Sequence, residues 1–238
     1  MGPENPQAIL PRNPGQPPGV RYRSPRVIAM LASRWLWFAI VLGVAGAGVD
    51  ALWLLSSSSA SFDELISIAD MIDLVAVVQL VTVLVGGILF LAWFHRAYGN
   101  LRALGVAEPR YKRGWAIGAW FVPFVNLVLP KQIANDLWRA GDPAMQPNDP
   151  GWQGRPVAPL LHWWWAFYLV GSAVSAVSGN MIADAATLDE MNSGVGLDAT
   201  AQALWVAAAF AGTRFIALST ERQEIRAGGL RAAGLLPA

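Results

Sequence analysis

The sequence predicts an all-α membrane protein with four transmembrane helices, a re-entrant or interfacial element and a short amphipathic helix. Three observations predict it. Charged residues make up 14% of the 238 and hydrophobic ones 55%, whereas a soluble domain has about a quarter of its residues charged. Four runs with at most one interior charge are each long enough, as helix, to cross a hydrocarbon layer of about 30 Å. The alternation those runs impose then places every lysine and arginine on one side.

Residues 1–26 precede the first run. Pro3, Pro6, Pro11, Pro14, Pro17, Pro18 and Pro25 alternate there with Gly, Asn and Gln. So little apolar surface cannot offset the entropy of ordering, so the stretch reads as a disordered, partly polyproline-like cytoplasmic tail. It contains no signal-peptide core. The membrane domain is expected over 27–225, with spans at about 35–55, 71–94, 160–182 and 199–220, and a second cytoplasmic tail over 226–238.

The stretch "GWAIGAWFVPFVNLVLPK" (114–131) is the fifth apolar run. It has no charge from Gly114 to Pro130, but Pro123 removes a helical hydrogen bond inside a segment already at the lower length limit for a span. Charge settles how to read it. If 114–130 does not cross, all seventeen basic residues lie on one side. The two opposite loops, 56–70 and 183–198, then contain no Lys or Arg but carry Asp63, Glu64, Asp70, Asp184, Asp189, Glu190 and Asp198. The positive-inside rule makes the basic side cytoplasmic, with both termini inside and the segment re-entrant or interfacial in the cell membrane. Pro130 can then open an amphipathic helix over 131–139 with Ile133 and Leu137 on one side.

Tryptophans follow the same division. Trp35, Trp37, Trp93, Trp115, Trp120, Trp138, Trp152 and the run Trp163-Trp164-Trp165 fall near the cytoplasmic interface, and Trp53 and Trp205 near the outer one. This reads as an aromatic belt. The two hairpins also echo each other. Small residues recur every fourth position, at Ala39, Gly43, Ala47 and Ala51 and again at Gly171, Ser175, Gly179 and Ala183, which suits close helix approach in lipid. Phe62-Asp63-Glu64-Leu65 parallels Leu188-Asp189-Glu190-Met191. Duplication of a two-helix unit and convergent membrane patterning both account for this.

The most distinctive chemistry follows the second span, in "AWFHRAYGNLRALG". Helix is expected to continue through Leu104 and stop at Gly105. His95, Tyr98 and Arg102 would share one face, and Arg96 and Asn100 another. A cytoplasmic platform is therefore expected from His95, Arg96, Tyr98, Asn100, Arg102, Trp115, Trp120, Pro123, Asn126, Lys131 and Trp138, with Asn100 and Arg102 contacting the segment 114–139. Asp50, Gln79, Asn180 and Arg214 are the candidate intramembrane polar residues, since polar groups in a span are default functional suspects. Two histidines without further ligands make no metal site. No P-loop, HExxH, GxSxG or dinucleotide fingerprint occurs, and the sequence gives no catalytic residues and no cofactor.

Residues 92–140 resemble the core of a family of bacterial membrane proteins catalogued as domain of unknown function 4328. The resemblance is carried by "HRAYGNLRALG", "GWAIGAWFVPFVNLVLPKQIANDLWRA" and the later "HWWWAF", and extends loosely over 30–225. It implies a multi-span bacterial protein and brings no activity or catalytic residues with it. The leading functional expectation is a non-enzymatic membrane protein whose cytoplasmic platform binds a protein partner or anionic lipid. A small-solute or ion transporter or channel component is the second, and would require Asp50, Gln79, Asn180 and Arg214 to converge. A lipid-modifying enzyme built on His95, Tyr98, Arg102 and Asn126 is the third. The lipid bilayer is the expected surrounding, a homo-oligomer is an open option, and a net charge of +1 gives no reason to expect nucleic acid.

Overall fold

A computed structural model describes residues 21–237, and among these every regular element is helical. The long helices are α1 (Arg26–Ser56), α2 (Phe62–Gly99), α5 (Pro159–Asp184) and α6 (Leu188–Ala232); the short ones are α3 (Trp115–Gly118) and α4 (Leu129–Ala140). The four long helices are each long and apolar enough to cross a membrane, so the chain is a multi-pass membrane protein of the all-helical class. Most of the expected amino-terminal tail, residues 1–20, lies outside the described residues.

The chain forms two compact units. One comprises Ile28–Phe90 and Ala158–Ile216 and is here termed the span unit. Its α1–α2 and α5–α6 turns are short because each following helix starts with the same device. Ser61 Oγ accepts from the Glu64 N–H at 3.4 Å while Glu64 Oε2 accepts from the Ser61 N–H at 2.8 Å. Thr187 and Glu190 repeat the exchange at 3.2 and 3.1 Å. Two S/T-x-x-E capping boxes therefore account for the paired acidic motifs, and the expected outer loops are largely the first turns of α2 and α6.

The small-residue stripes pack differently from expectation. Gly43, Gly46, Asp50 and Trp53 are the buried positions of the second half of α1, and Gly171 and Ser178 those of α5 beyond its opening turns, whereas Ala51, Gly179 and Ala183 are exposed. Four residues turn an α-helix through about 400°, so a strict four-residue row drifts about 40° per step and leaves the interface, while mixed spacings of three and four stay on it. At Gly43 an added Cβ would stand 2.8 Å from Val206, and at Gly194 it would stand 2.7 Å from Ile182. Elsewhere indoles do the packing. Trp35 Nε1 donates to the Thr82 carbonyl at 2.7 Å, Trp53 Nε1 to Asn192 Oδ1 at 2.9 Å, and Trp164 stacks on Phe215 with centroids 5.2 Å apart. Trp37 and Trp163 remain exposed, as a belt requires, but Trp53 and Trp164 belong to the packing.

The second unit, here the loop unit, comprises the described residues up to Val27, Leu91–Val157 and residues 217–237. Its core contains Trp93, Phe94, Leu101, Leu104, Ile133, Leu137 and Ala227, all fully buried or nearly so. Trp93 Nε1 donates to Thr220 Oγ1 at 3.0 Å. The helix at its entry ends at Gly99, not at Leu104: residues 100–105 turn, and Gly105 takes φ +87°, the left-handed region that a Cβ disfavours. Segment 114–130 is no continuous helix. It consists of α3, a turn through Pro123, and a single 3-10 turn at Val125–Leu127. Phe124 holds φ +62° and, with Phe121, is exposed beside Pro123. Arginine carries much of the remaining architecture. Arg226 is buried, donating from Nε to the Leu104 carbonyl and from Nη1 to the Asp142 carbonyl, both at 2.8 Å, and to the Met145 carbonyl. Residues 226–238, expected as a tail, thus begin inside this unit, and Leu230 and Leu236 pack against Ala103 and Leu104.

Candidate functional site

The loop unit contains a cleft of about 520 Å³ lined by Arg21, Arg23, Arg96, Tyr98, Gly99, Asn100, Arg102, Pro109, Tyr111, Lys112 and Arg113. Six of these are cations and none is a carboxylate. The arrangement comes from three short segments that meet: the end of α2, the turn after Pro109, and residues 21–23. Asn100 joins two of them. It is buried, its Oδ1 accepts from the Arg23 N–H at 3.0 Å, and its Nδ2 donates to the Arg23 carbonyl at 2.9 Å. The amide thus pairs with Arg23 as a neighbouring strand would, and Nδ2 also reaches Gln223 Oε1 at 3.3 Å. Gln223 is itself anchored by donating to the Ala97 carbonyl at 3.0 Å.

Arg113 is fixed from the other side. Its guanidinium lies 3.3 Å from the His95 carbonyl and 3.4 Å from His95 Nδ1. Gly99 allows this, because a Cβ there would meet the Arg113 side chain at 2.5–2.9 Å. The Tyr98 hydroxyl accepts from the Tyr111 N–H at 3.1 Å, leaving its own proton to donate. No carboxylate pairs with Arg21, Arg23, Arg96, Arg102, Lys112 or Arg113 among the described residues. The carboxylates are used elsewhere. Glu224 holds Tyr22, Ser24 and Arg26, and Asp142 holds Arg155 at 2.8 Å and Arg222 at 3.6 Å. Burial alone would raise Asp142, but the hydrogen bonds from Arg155 and the Ala144 N–H, with the nearby guanidiniums, hold its carboxyl below the usual range.

One acid sits behind the cleft wall. Asp136 of α4 is fully buried, 3.6 Å from Arg110, and neither carboxylate oxygen accepts a hydrogen bond among the described residues. Burial raises it to about 6, against the pull of Arg110 and Arg139. Lys131, lowered to about 8 by burial and then by Arg139, donates to Asn135 on the same helix.

The platform residues expected from the sequence therefore divide, and among the described residues no hydrogen bond or ion pair joins Asn100 or Arg102 to segment 114–139. Arg96, Tyr98, Asn100 and Arg102 line the cleft, with His95 behind it. Asn100 is engaged by residues 23 and 223, because its amide matches a free backbone edge there, and Arg102 is exposed. Trp115 and Pro123 are exposed and Asn126 is half-buried in segment 114–130; Trp120 packs edge-on to Phe94 at 6.3 Å, and Trp138 lies under the Arg222 guanidinium at 4.4 Å. Lys112 and Arg113 close the basic stretch that begins at Arg96, while Arg21 and Arg23 come from the segment before α1, which the sequence offers only as a tail. Their clustering depends on the fold, although "RYKRG" and "RYR" are both visible basic-aromatic runs.

In the span unit, Asp50 and Gln79 come together on a residue not singled out from sequence. Gln202 Nε2 donates to Asp50 Oδ2 at 3.0 Å and to Asp198 Oδ2 at 3.1 Å, while its Oε1 accepts from Gln79 Nε2 at 2.7 Å. Ser178 closes the set by donating to Asp198 at 3.0 Å. Asn180 and Arg214 are exposed, so the four suspects do not all converge. Among the described residues, no group of three or more His, Cys, Asp or Glu could hold a metal ion.

Fold and cleft define a multi-pass helical membrane protein with a cationic, carboxylate-free cleft. The chain belongs to the family described as Domain of unknown function (DUF4328), whose model matches residues 59–221, and the resemblance drawn from its motifs is borne out. No curated protein and no solved structure matches it.

Proposed function

We propose that the protein is a non-enzymatic platform in the cell membrane, with both termini cytoplasmic, that holds an anionic group in the cleft of its loop unit. The carrying observation is six cations facing one small cavity with no carboxylate in its lining. Like charges so placed repel unless an anion joins them, and the cost grows as water is displaced. The concavity favours a headgroup-sized ligand over a protein face, since its volume falls within the range of small-molecule sites, about 300–1,000 Å³. A lipid headgroup fits best: Arg96 lies two residues beyond Phe94, roughly 3 Å along α2 from the end of its apolar run. The exposed apolar residues Phe121, Val122, Phe124, Leu127 and Val128 would sit at the acyl boundary beside such headgroups. The α1–α2 and α5–α6 turns, residues 57–61 and 185–187, contain no Lys or Arg, which supports the orientation.

The test is lipid identification by mass spectrometry on protein purified from native membranes. Anionic lipids should be enriched over the bulk membrane, and an Arg21→Gln, Arg23→Gln, Arg96→Gln variant should lose the enrichment. A lipid shell identical in the two proteins, and no different from bulk, would overturn the reading. A second reading, a small-solute or ion pathway, is favoured only by the joint hold of Asp50, Gln79 and Asp198 on Gln202. Solute flux in proteoliposomes that vanishes with Gln202→Leu would support it.

A further inference from the structure

We infer that the anion taken by this cleft is a phosphate-rich group, two phosphates in close succession, rather than a carboxylate or a diffuse negative surface. The inference rests on reading the cleft as an anion site and names its ligand class. Five of the six cations are arginines. A guanidinium presents a planar fork that pairs two donors with two oxygens, so a set of arginines is best satisfied where the ligand offers several oxygens at once. A carboxylate offers two oxygens and one charge, which cannot engage six cations. A diphosphate, or two phosphates joined through one glycerol, offers more oxygens and about two to three charges, and several forks can share it.

The neutral lining agrees with this chemistry. The Tyr98 hydroxyl retains a proton to donate, and no carboxylate in the lining would repel a phosphate. The cleft is also held open without a ligand. Asn100 clamps the Arg23 backbone on one side, and Arg113 is braced against His95 on the other, over a glycine that leaves it room. A site so fixed loses little binding energy to ordering itself. Its volume exceeds that of the phosphates alone, so the group that carries them enters too. That carrier is either the glycerol of a two-phosphate lipid or the body of a soluble phosphate ester, and the recognising chemistry is the same for both.

The experiment uses the full chain in phosphatidylcholine nanodiscs at constant ionic strength. Calorimetry with pyrophosphate, phosphate and citrate compares two phosphates, one phosphate and a multiply charged carboxylate. A parallel set of nanodiscs carries cardiolipin, or phosphatidylserine at equal charge, and thermal unfolding is read in each. Pyrophosphate should bind at least tenfold more tightly than citrate, or cardiolipin should raise the unfolding midpoint where phosphatidylserine does not. The first result assigns a soluble source and the second a lipid source; either supports the inference.

Arg102 and Lys112 are both exposed, so an Arg102→Gln, Lys112→Gln variant should fold as the parent does and lose at least tenfold in the preferred ligand. Arg102→Lys keeps the charge and removes the fork, and should lose severalfold in pyrophosphate or cardiolipin response with citrate unchanged. Citrate binding as tightly as pyrophosphate, with phosphatidylserine matching cardiolipin, would overturn the phosphate inference and leave the anion site standing. No response to any anion, soluble or lipid, would overturn both.

Discussion

Asn100→Ala isolates the contact that ties residues 21–25 to the rest of the loop unit. The side chain makes two bonds to the Arg23 backbone, at 3.0 and 2.9 Å, and a weaker one to Gln223 at 3.3 Å. A net contribution of roughly 1 kcal/mol per bond gives about 2 kcal/mol for the Arg23 pair. At Arg23 the larger penalty for orphaned buried groups does not apply, because the residue is exposed and water can replace the lost amide. Gln223 keeps its Nε2 bond to Ala97 while its buried Oε1 loses a donor, a cost that falls on the core and not on residues 21–25. The loss should therefore appear as local opening. About 2 kcal/mol corresponds to roughly a thirtyfold rise in the open population of residues 21–25. Hydrogen exchange at the Arg23 amide, measured by mass spectrometry on protein in nanodiscs, should accelerate by that factor. Trypsin should cut after Arg21 and Arg23 sooner, while exchange in α4 stays as in the parent. Exchange at Arg23 within threefold of the parent would refute the reasoning and would mean that Glu224, which holds Tyr22, Ser24 and Arg26, carries this segment alone.

Three further outcomes are expected. Gln202→Leu removes three hydrogen bonds and leaves Asp50 and Asp198 without their shared donor; at about 0.6 kcal/mol per bond in a membrane protein, denaturant unfolding in detergent should show a loss of about 2 kcal/mol. Asp136, raised to about 6 by burial, binds its proton more tightly in the folded chain than in the unfolded one. The parent should therefore lose stability as pH rises between about 4 and about 6, and Asp136→Asn should abolish that loss, matching the parent near pH 4 and exceeding it by up to about 3 kcal/mol at pH 7; parallel unfolding midpoints at all pH values would contradict this. For topology, single cysteines in this cysteine-free chain at the exposed positions Ser58, Ala144, Ser193 and Ala233 should react with an impermeant maleimide on intact cells at 58 and 193 only, and labelling at 144 and 233 would show that segment 114–130 crosses.

Sequence by itself determined the class and the number of spans. A hydrocarbon layer admits only long apolar helices with few charges, a one-dimensional condition that counting residues can check. It also made 114–130 an exception, because a proline in a run of minimal length is local information, and it made 131–139 a helix through its amphipathic spacing. The acidic motifs Phe62-Asp63-Glu64-Leu65 and Leu188-Asp189-Glu190-Met191 are visible in the sequence as paired loops, and the structure makes them parts of capping boxes at Ser61–Glu64 and Thr187–Glu190. Tertiary structure alone decided which polar residues meet. Asn100 finds Arg23 across 77 positions, Gln202 finds Asp50 across 152, and Arg226 reaches Leu104 across 122. Periodicity says which face of a helix a residue occupies, but not which neighbour that face meets. The cationic cleft illustrates the same limit: Arg21, Arg96 and Arg113 are ordinary arginines in the chain, and only the turn after Gly99, returning past Pro109, makes them line one cavity.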